Sequence, residues 1–122
     1  MTAEPTQLFA DMQFNHGVLM ARLVGPNFGQ REGPVVVSMI EAELAKAPAR
    51  LIVLDCSDIS FINSSGLGSC VVIHNRAKAI KGKAVLYALR KDLVDVFKMT
   101  RMDKLFVIAE DAKKLGKVLK RG

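Results

Sequence analysis

The run Leu51-Ile52-Val53-Leu54-Asp55, with Phe61-Ile62-Asn63-Ser64-Ser65-Gly66-Leu67-Gly68 soon after it, decides the fold. Consecutive apolar residues without alternation predict a short strand in a sheet covered on both faces. From Ser64 to about Lys81 the chain reads as a helix, so a strand passes through a polar loop into a helix. Such a junction sets loop hydroxyls at a helix N-terminus, where free N–H groups and the helix dipole favour an anion. Ser64 and Ser65 stand there with three available uses: helix cap, nucleophile or phosphorylation site.

Outward from this junction the pattern is regular. Leu8, Ala10, Met12 and Phe14 alternate with polar residues, which predicts a half-buried strand. Asn15-His16-Gly17 is turn chemistry, and Val18 to Val24 completes a β-hairpin. Gly25-Pro26-Asn27 ends it. Residues 33–47 predict a helix with Val36, Val37, Ile40 and Leu44 on one face and Pro34 in its first turn. Gly82 is expected to stop the helix that follows the serine loop. Ala84 to Ala88 reads as a strand, Asp92 to Met99 as a helix, Phe106 to Ala109 as a strand and Asp111 to Lys120 as a final helix. The class is therefore α/β: a mainly parallel sheet of about five strands after an N-terminal hairpin, with about four helices. The 122 residues are expected to form a single domain, 1–122.

Composition narrows the function. Half of the residues are apolar and 25% are charged, the balance of a soluble globular domain. The apolar runs are too short to span a bilayer, and Met1-Thr2-Ala3-Glu4-Pro5 lacks the pattern of a signal peptide. A cytoplasmic protein without stable membrane insertion is expected. Cys56 and Cys70 match neither a zinc pattern nor a redox pair, and are expected to be buried thiols. The net charge of +6 divides unevenly, with 4 − 7 = −3 in residues 1–63 and 14 − 5 = +9 in residues 64–122. Such a basic half suits an acidic partner or nucleic acid, but no Trp and no nucleic-acid motif accompany it. Solvated helix faces are the simplest reading of these charges, and no direct nucleic-acid binding is expected.

A nucleophilic serine needs a base within reach. His74 is ten residues beyond Ser64 on the same helix, roughly 15 Å away at 1.5 Å per residue. His16 falls in the hairpin turn, and the loop departs from a nucleophile elbow because Ile62 occupies the first glycine position. A hydrolase is thereby disfavoured. Gly66 and Gly68 lack the lysine of a phosphate-binding loop, so no cofactor is expected. Asp55 and Asp58 are an acid pair at a strand end, more often turn caps than metal ligands, and no metal is expected.

The hairpin start, the strand ending Leu54-Asp55, the Phe61–Gly68 loop and the segment Lys98-Met99-Thr100-Arg101-Met102-Asp103-Lys104-Leu105-Phe106 together resemble the STAS domain of bacterial anti-sigma factor antagonists. The resemblance runs over nearly the whole chain. It implies a STAS-like fold and a partner-switching regulator of transcription that is not an enzyme. In such families the unphosphorylated antagonist binds an anti-sigma factor that is also a serine kinase, and so frees a sigma factor. Phosphorylation of a loop serine ends that binding, and a phosphatase resets it. The serine maps onto Ser64, with Asn63, Ser65 and Gly66 as the rest of the switch loop. The family often has Asp where this chain has Asn63, which keeps the hydrogen-bonding capacity and loses the charge. The resemblance leaves three outcomes: a changed kinase preference, an unphosphorylated copy, or a divergent branch of the family.

The expected partner surface is the loop, the exposed face of the following helix and the helix at 33–47. Ser69, Asn75, Arg76 and Lys78 are its candidates, and a monomer fits a domain that binds in trans. Met99 and Met102 are expected to pack in the core. The alternative implied by the same resemblance is an accessory subunit that docks on a membrane transporter or lipid-transport ATPase. A nucleotide-binding module is a third reading.

Overall fold

The apolar run Leu51–Leu54 becomes the centre of the sheet, with all four side chains buried. The computed structural model describes residues 9–121, so Leu8 and the segment Met1 to Pro5 lie outside the described residues. The strands are β1 (Ala10–Asn15), β2 (Val18–Leu23), β3 (Asn27–Phe28), β4 (Leu51–Asp55), β5 (Phe61–Ile62), β6 (Lys83–Tyr87) and β7 (Val107–Ala109). The helices are α1 (Gly33–Lys46), α2 (Ser64–Ala79), α3 (Lys91–Met99) and α4 (Ala112–Arg121), with a short 3-10 turn at Met102–Lys104.

Five strands form one sheet in the order β1-β2-β4-β6-β7. Only the β1–β2 hairpin is antiparallel, and its turn places His16 and Gly17 at positive φ. Two successive left-handed residues match the twist of the flanking strands. β2, β4, β6 and β7 run parallel. Side chains of β4 divide between two cores, as the period of a strand requires. Ile52 and Leu54 pack with Val36 and Ile40 of α1, Ile73 of α2 and Phe97 of α3. Leu51 and Val53 pack with Val85, Ala109 and Leu115 of α4. The predicted two-sided cover is therefore built from three helices on one face and one on the other.

Three differences from the sequence reading have local causes. β3 and β5 pair as a separate two-residue parallel ribbon, too short to leave a periodic signature. Helix α2 ends at Ala79, and the left-handed residue beyond it is Lys81, not Gly82. Gly82 is instead needed for space, since a Cβ there would lie 2.8 Å from the carbonyl oxygen of Arg50. Met99 is not in the core: it is 83% exposed at the end of α3, whereas Met102 does pack against the main cluster.

Candidate functional site

The small ribbon sets the geometry of the serine loop. β3 leads into α1 and β5 leads into α2, and Asn27 and Phe28 pair with Phe61 and Ile62. Both helices therefore begin side by side at one end of the molecule, beyond the finish of β4. The chain enters the ribbon through a cis Gly25–Pro26 peptide, with Gly25 N donating to Asp58 Oδ2 at 2.8 Å. Glycines let the two helix starts approach. A Cβ on Gly33 would overlap Ser69 Oγ, and one on Gly66 would overlap the carbonyl oxygen of Phe28.

Asn63, not a serine, caps α2. Its Oδ1 accepts from Gly66 N at 2.9 Å and its carbonyl oxygen accepts from Leu67 N at 2.9 Å. Of the four N–H groups that a helix start leaves free, those of Ser64 and Ser65 stay outside this cap. Both serines are exposed. Helix α2 carries no acidic residue in its first turn, whereas α1 is preceded at its cap by Glu32, whose Oε1 accepts from Gly29 N at 3.0 Å, so only the positive dipole end of α2 is left without a carboxylate. An anionic group on Ser64 would meet the N–H donors and the favourable dipole of α2.

The structure separates the other candidate residues. Ser69 is buried against α1, because Gly33 brings the two helices together there; it is not available to a partner. Arg76 is exposed but bound to Glu41 of α1, so its charge braces α1 against α2. Asn75 is exposed in the second half of α2. Lys78 stands fourteen residues from Ser64, roughly 21 Å along the helix, and lines a cleft with His74, Lys83 and Lys104. Only Asn63, Ser64, Ser65 and Gly66 come together at the loop. The sequence reading does not single out Phe61 as exposed; it is 59% exposed while its neighbour Ile62 is buried. Its alternation with Ile62 is the only sequence signal, two residues long.

The remaining chemistry is structural. Asp55 Oδ1 accepts from Ser57 N at 3.0 Å, and Asp58 holds Gly25, so both acids serve turns. Among the described residues no group of three or more His, Cys, Asp or Glu is placed to hold a metal ion. The ring of His74 packs on Phe106, with centroids 5.7 Å apart, away from the loop. Cys56 and Cys70 are buried free thiols. Burial pushes the Cys70 thiol up to about 12, and burial with the neighbouring Cys70 and Asp55 raises Cys56 well above the ordinary thiol range. The loop thus offers an exposed hydroxyl, an exposed aromatic and an anion-friendly helix end.

The same architecture is found in solved structures of low sequence identity. The anti-sigma factor antagonist SpoIIAA in its unphosphorylated form is 16% identical, covers 93% of this chain and 98% of its own, and superposes with a TM-score of 0.71. The Bacillus cell fate determinant SpoIIAA in its phosphorylated form is also 16% identical, with coverage of 89% and 98% and a TM-score of 0.68. An anti-sigma factor antagonist from Mycobacterium paratuberculosis is 20% identical, with coverage of 96% and 98% and a TM-score of 0.75. The murine anion transporter Slc26a9 is 11% identical over 90% of this chain and 19% of its own, with a TM-score of 0.75. These likenesses fix the fold, and the family model of the STAS domain matches residues 9–115. On that match, which takes in the hairpin, the whole sheet and the serine loop, the chain belongs to the STAS domain family.

Proposed function

We propose that this single domain is an anti-sigma factor antagonist that works by partner switching. Unphosphorylated, it binds an anti-sigma factor that is also a serine kinase, and a sigma factor is released. Ser64 Oγ then attacks the γ-phosphorus of ATP on that kinase, its proton passes to a kinase base, and ADP leaves. The phosphoserine ends the complex, and a phosphatase restores the hydroxyl. The observation that carries this reading is Ser64 exposed at the first turn of α2 while Asn63 occupies the cap.

The physics of the switch is local. A phosphoserine adds about −1.5 to −2 charge at pH 7. Facing helix N–H groups, it leaves the fold intact. Its effect falls on the partner, which meets a bulky dianion beside Phe61 where it had met a small hydroxyl. A coupling of about 1–3 kcal/mol changes affinity roughly 5–150-fold. Incubation with the cognate anti-sigma kinase and ATP, followed by mass spectrometry, tests the reading. It expects one phosphate on Ser64; neither phosphorylation nor binding across the candidate kinases would remove it.

A second reading is an accessory subunit docked on a membrane transporter or lipid-transport ATPase, favoured by the likeness to the Slc26a9 anion transporter. Among the described residues no helix is long and apolar enough to cross a membrane. Recovery of a permease or transport ATPase in place of a kinase in an affinity pull-down would select it.

A further inference from the structure

The end of the molecule opposite the serine loop, where the parallel strands begin, has its own chemistry. Arg50 precedes β4, Lys83 opens β6, and Lys78 and Lys81 sit at the end of α2. Lys98 and Arg101 come from the end of α3, and Lys104 from the 3-10 turn that leads towards β7. Arg50, Lys81 and Lys83 line one cleft of about 310 Å³. Lys83 also lines the adjoining cleft, together with Lys78, Lys104 and Leu105. Of the acids on the segments that form this end, Glu43 is held by Lys46, Asp103 is half-buried, and Asp95 is exposed one turn before Lys98 on α3, where it lines a cleft with Lys98 and Glu110; the cations still outnumber them.

Apolar side chains stand among these cations. Among the described residues, three of the four large exposed hydrophobic side chains are here: Met99 at 83%, Ile80 at 40% and Leu105 at 40%. Lys81 and Arg101, each just past a helix end, have φ of 61° and 60°. Glycine adopts that conformation with less strain; the sequence keeps a long cation at both positions. Arg50 Nη2 donates to the carbonyl oxygen of Leu119 at 3.2 Å, while the buried Nη1 meets no acceptor among the described residues.

We propose that this basic end docks on an anionic lipid surface. Lysines and arginines meet the headgroup phosphates, and Ile80, Met99 and Leu105 enter the boundary between headgroups and acyl chains. A nucleic acid accounts for the cations but not for the aliphatic side chains. Single-strand binding also calls for exposed aromatics, and Phe106 at this end is buried. Docked in this way, the protein turns Ser64 away from the membrane. The proposal stands on different residues from the switch and does not depend on it.

Sedimentation of the full chain with vesicles tests it. Binding is expected to phosphatidylcholine vesicles that contain phosphatidylglycerol, not to phosphatidylcholine alone, and to be lost in high salt. Replacing Lys83→Gln and Lys104→Gln together weakens binding by roughly 25-fold, about fivefold per charge. Lys83→Arg with Lys104→Arg retains it, which separates charge from fold. Met99→Ser with Leu105→Ser lowers binding several-fold, and Ser64→Ala leaves it unchanged. Equal binding to both vesicle types, no binding to the anionic ones, an undiminished Met99→Ser/Leu105→Ser variant, loss in Ser64→Ala, or tighter binding to duplex DNA than to vesicles would each overturn the proposal.

Discussion

Gly66 in the first turn of α2 stands so close to Phe28 in β3 that a Cβ would overlap the Phe28 carbonyl oxygen and lie 2.9 Å from the carbonyl carbon. The contact sets the height at which the serine loop meets the ribbon. Gly66→Ala gains about 1 kcal/mol of helix propensity but forces backbone apart, at a cost of roughly 1–3 kcal/mol. A net loss of up to about 2 kcal/mol is expected in urea denaturation, with weaker partner binding because Ser64 moves with the helix start.

Gly33 and Ser69 make the matching contact between α1 and α2, where a Cβ on Gly33 would overlap Ser69 Oγ and lie 2.8 Å from Ser69 Cβ. Gly33→Ala is expected to lower stability by roughly 1–3 kcal/mol. The double variant with Ser69→Gly removes both clashing atoms. Its denaturation midpoint should lie above that of Gly33→Ala alone, and strict additivity of the two single losses would contradict the packing described.

The cap on α2 gives a two-sided test. Asn63→Ala removes the acceptor for Gly66 N and should cost about 1 kcal/mol. Asn63→Asp keeps an acceptor and puts a negative charge at the positive helix end, for a gain of roughly 0.3–1 kcal/mol. The order reverses once Ser64 carries phosphate, because a carboxylate beside a dianion is repelled. Thermal midpoints of the natural protein and of the Asn63→Asp variant, each with and without phosphate, show whether Asn63 eases accommodation of a phosphoserine.

The buried thiols predict alkaline behaviour. Cys70 is held neutral by burial, its pKa pushed from 9.0 up to about 12. A raised folded-state value stabilises below the unfolded pKa, and that contribution fades as pH rises from 9 towards 12. Between pH 7 and about pH 10.5 the thiol gives up roughly 1–2 kcal/mol of native stability. Cys70→Ala lacks this term, so its deficit relative to the natural protein in urea should shrink at the higher pH.

The parts legible in the sequence are those with a repeating physical signal. Leu51–Leu54 announced a doubly covered strand, Ala10, Met12 and Phe14 a half-buried strand, and Asn15-His16-Gly17 the hairpin turn. The β3–β5 ribbon was hidden because two residues carry no period, and the exposure of Phe61 was hidden with it. Ser69 looked like a surface serine on its own helix. It is covered by another helix, through a glycine 36 positions earlier. Serines at a helix start suggested a serine cap, yet the residue before them had the extended backbone that a cap requires, with φ of −96° and ψ of −177° at Asn63. The basic residues of the second half were countable, but their gathering at the strand starts follows from the parallel topology, which returns three helix ends to one pole.

The central claim is that one phosphate on Ser64 governs partner affinity. Isothermal titration of the anti-sigma factor kinase with the unmodified protein and with protein phosphorylated at Ser64 measures it directly. The account predicts binding of the unmodified protein and an affinity roughly 5–150-fold lower for the phosphorylated one, with Ser65→Ala behaving as the natural sequence does. Equal affinities for the two forms, or a phosphate that settles on Ser65 and leaves Ser64 free, would contradict it.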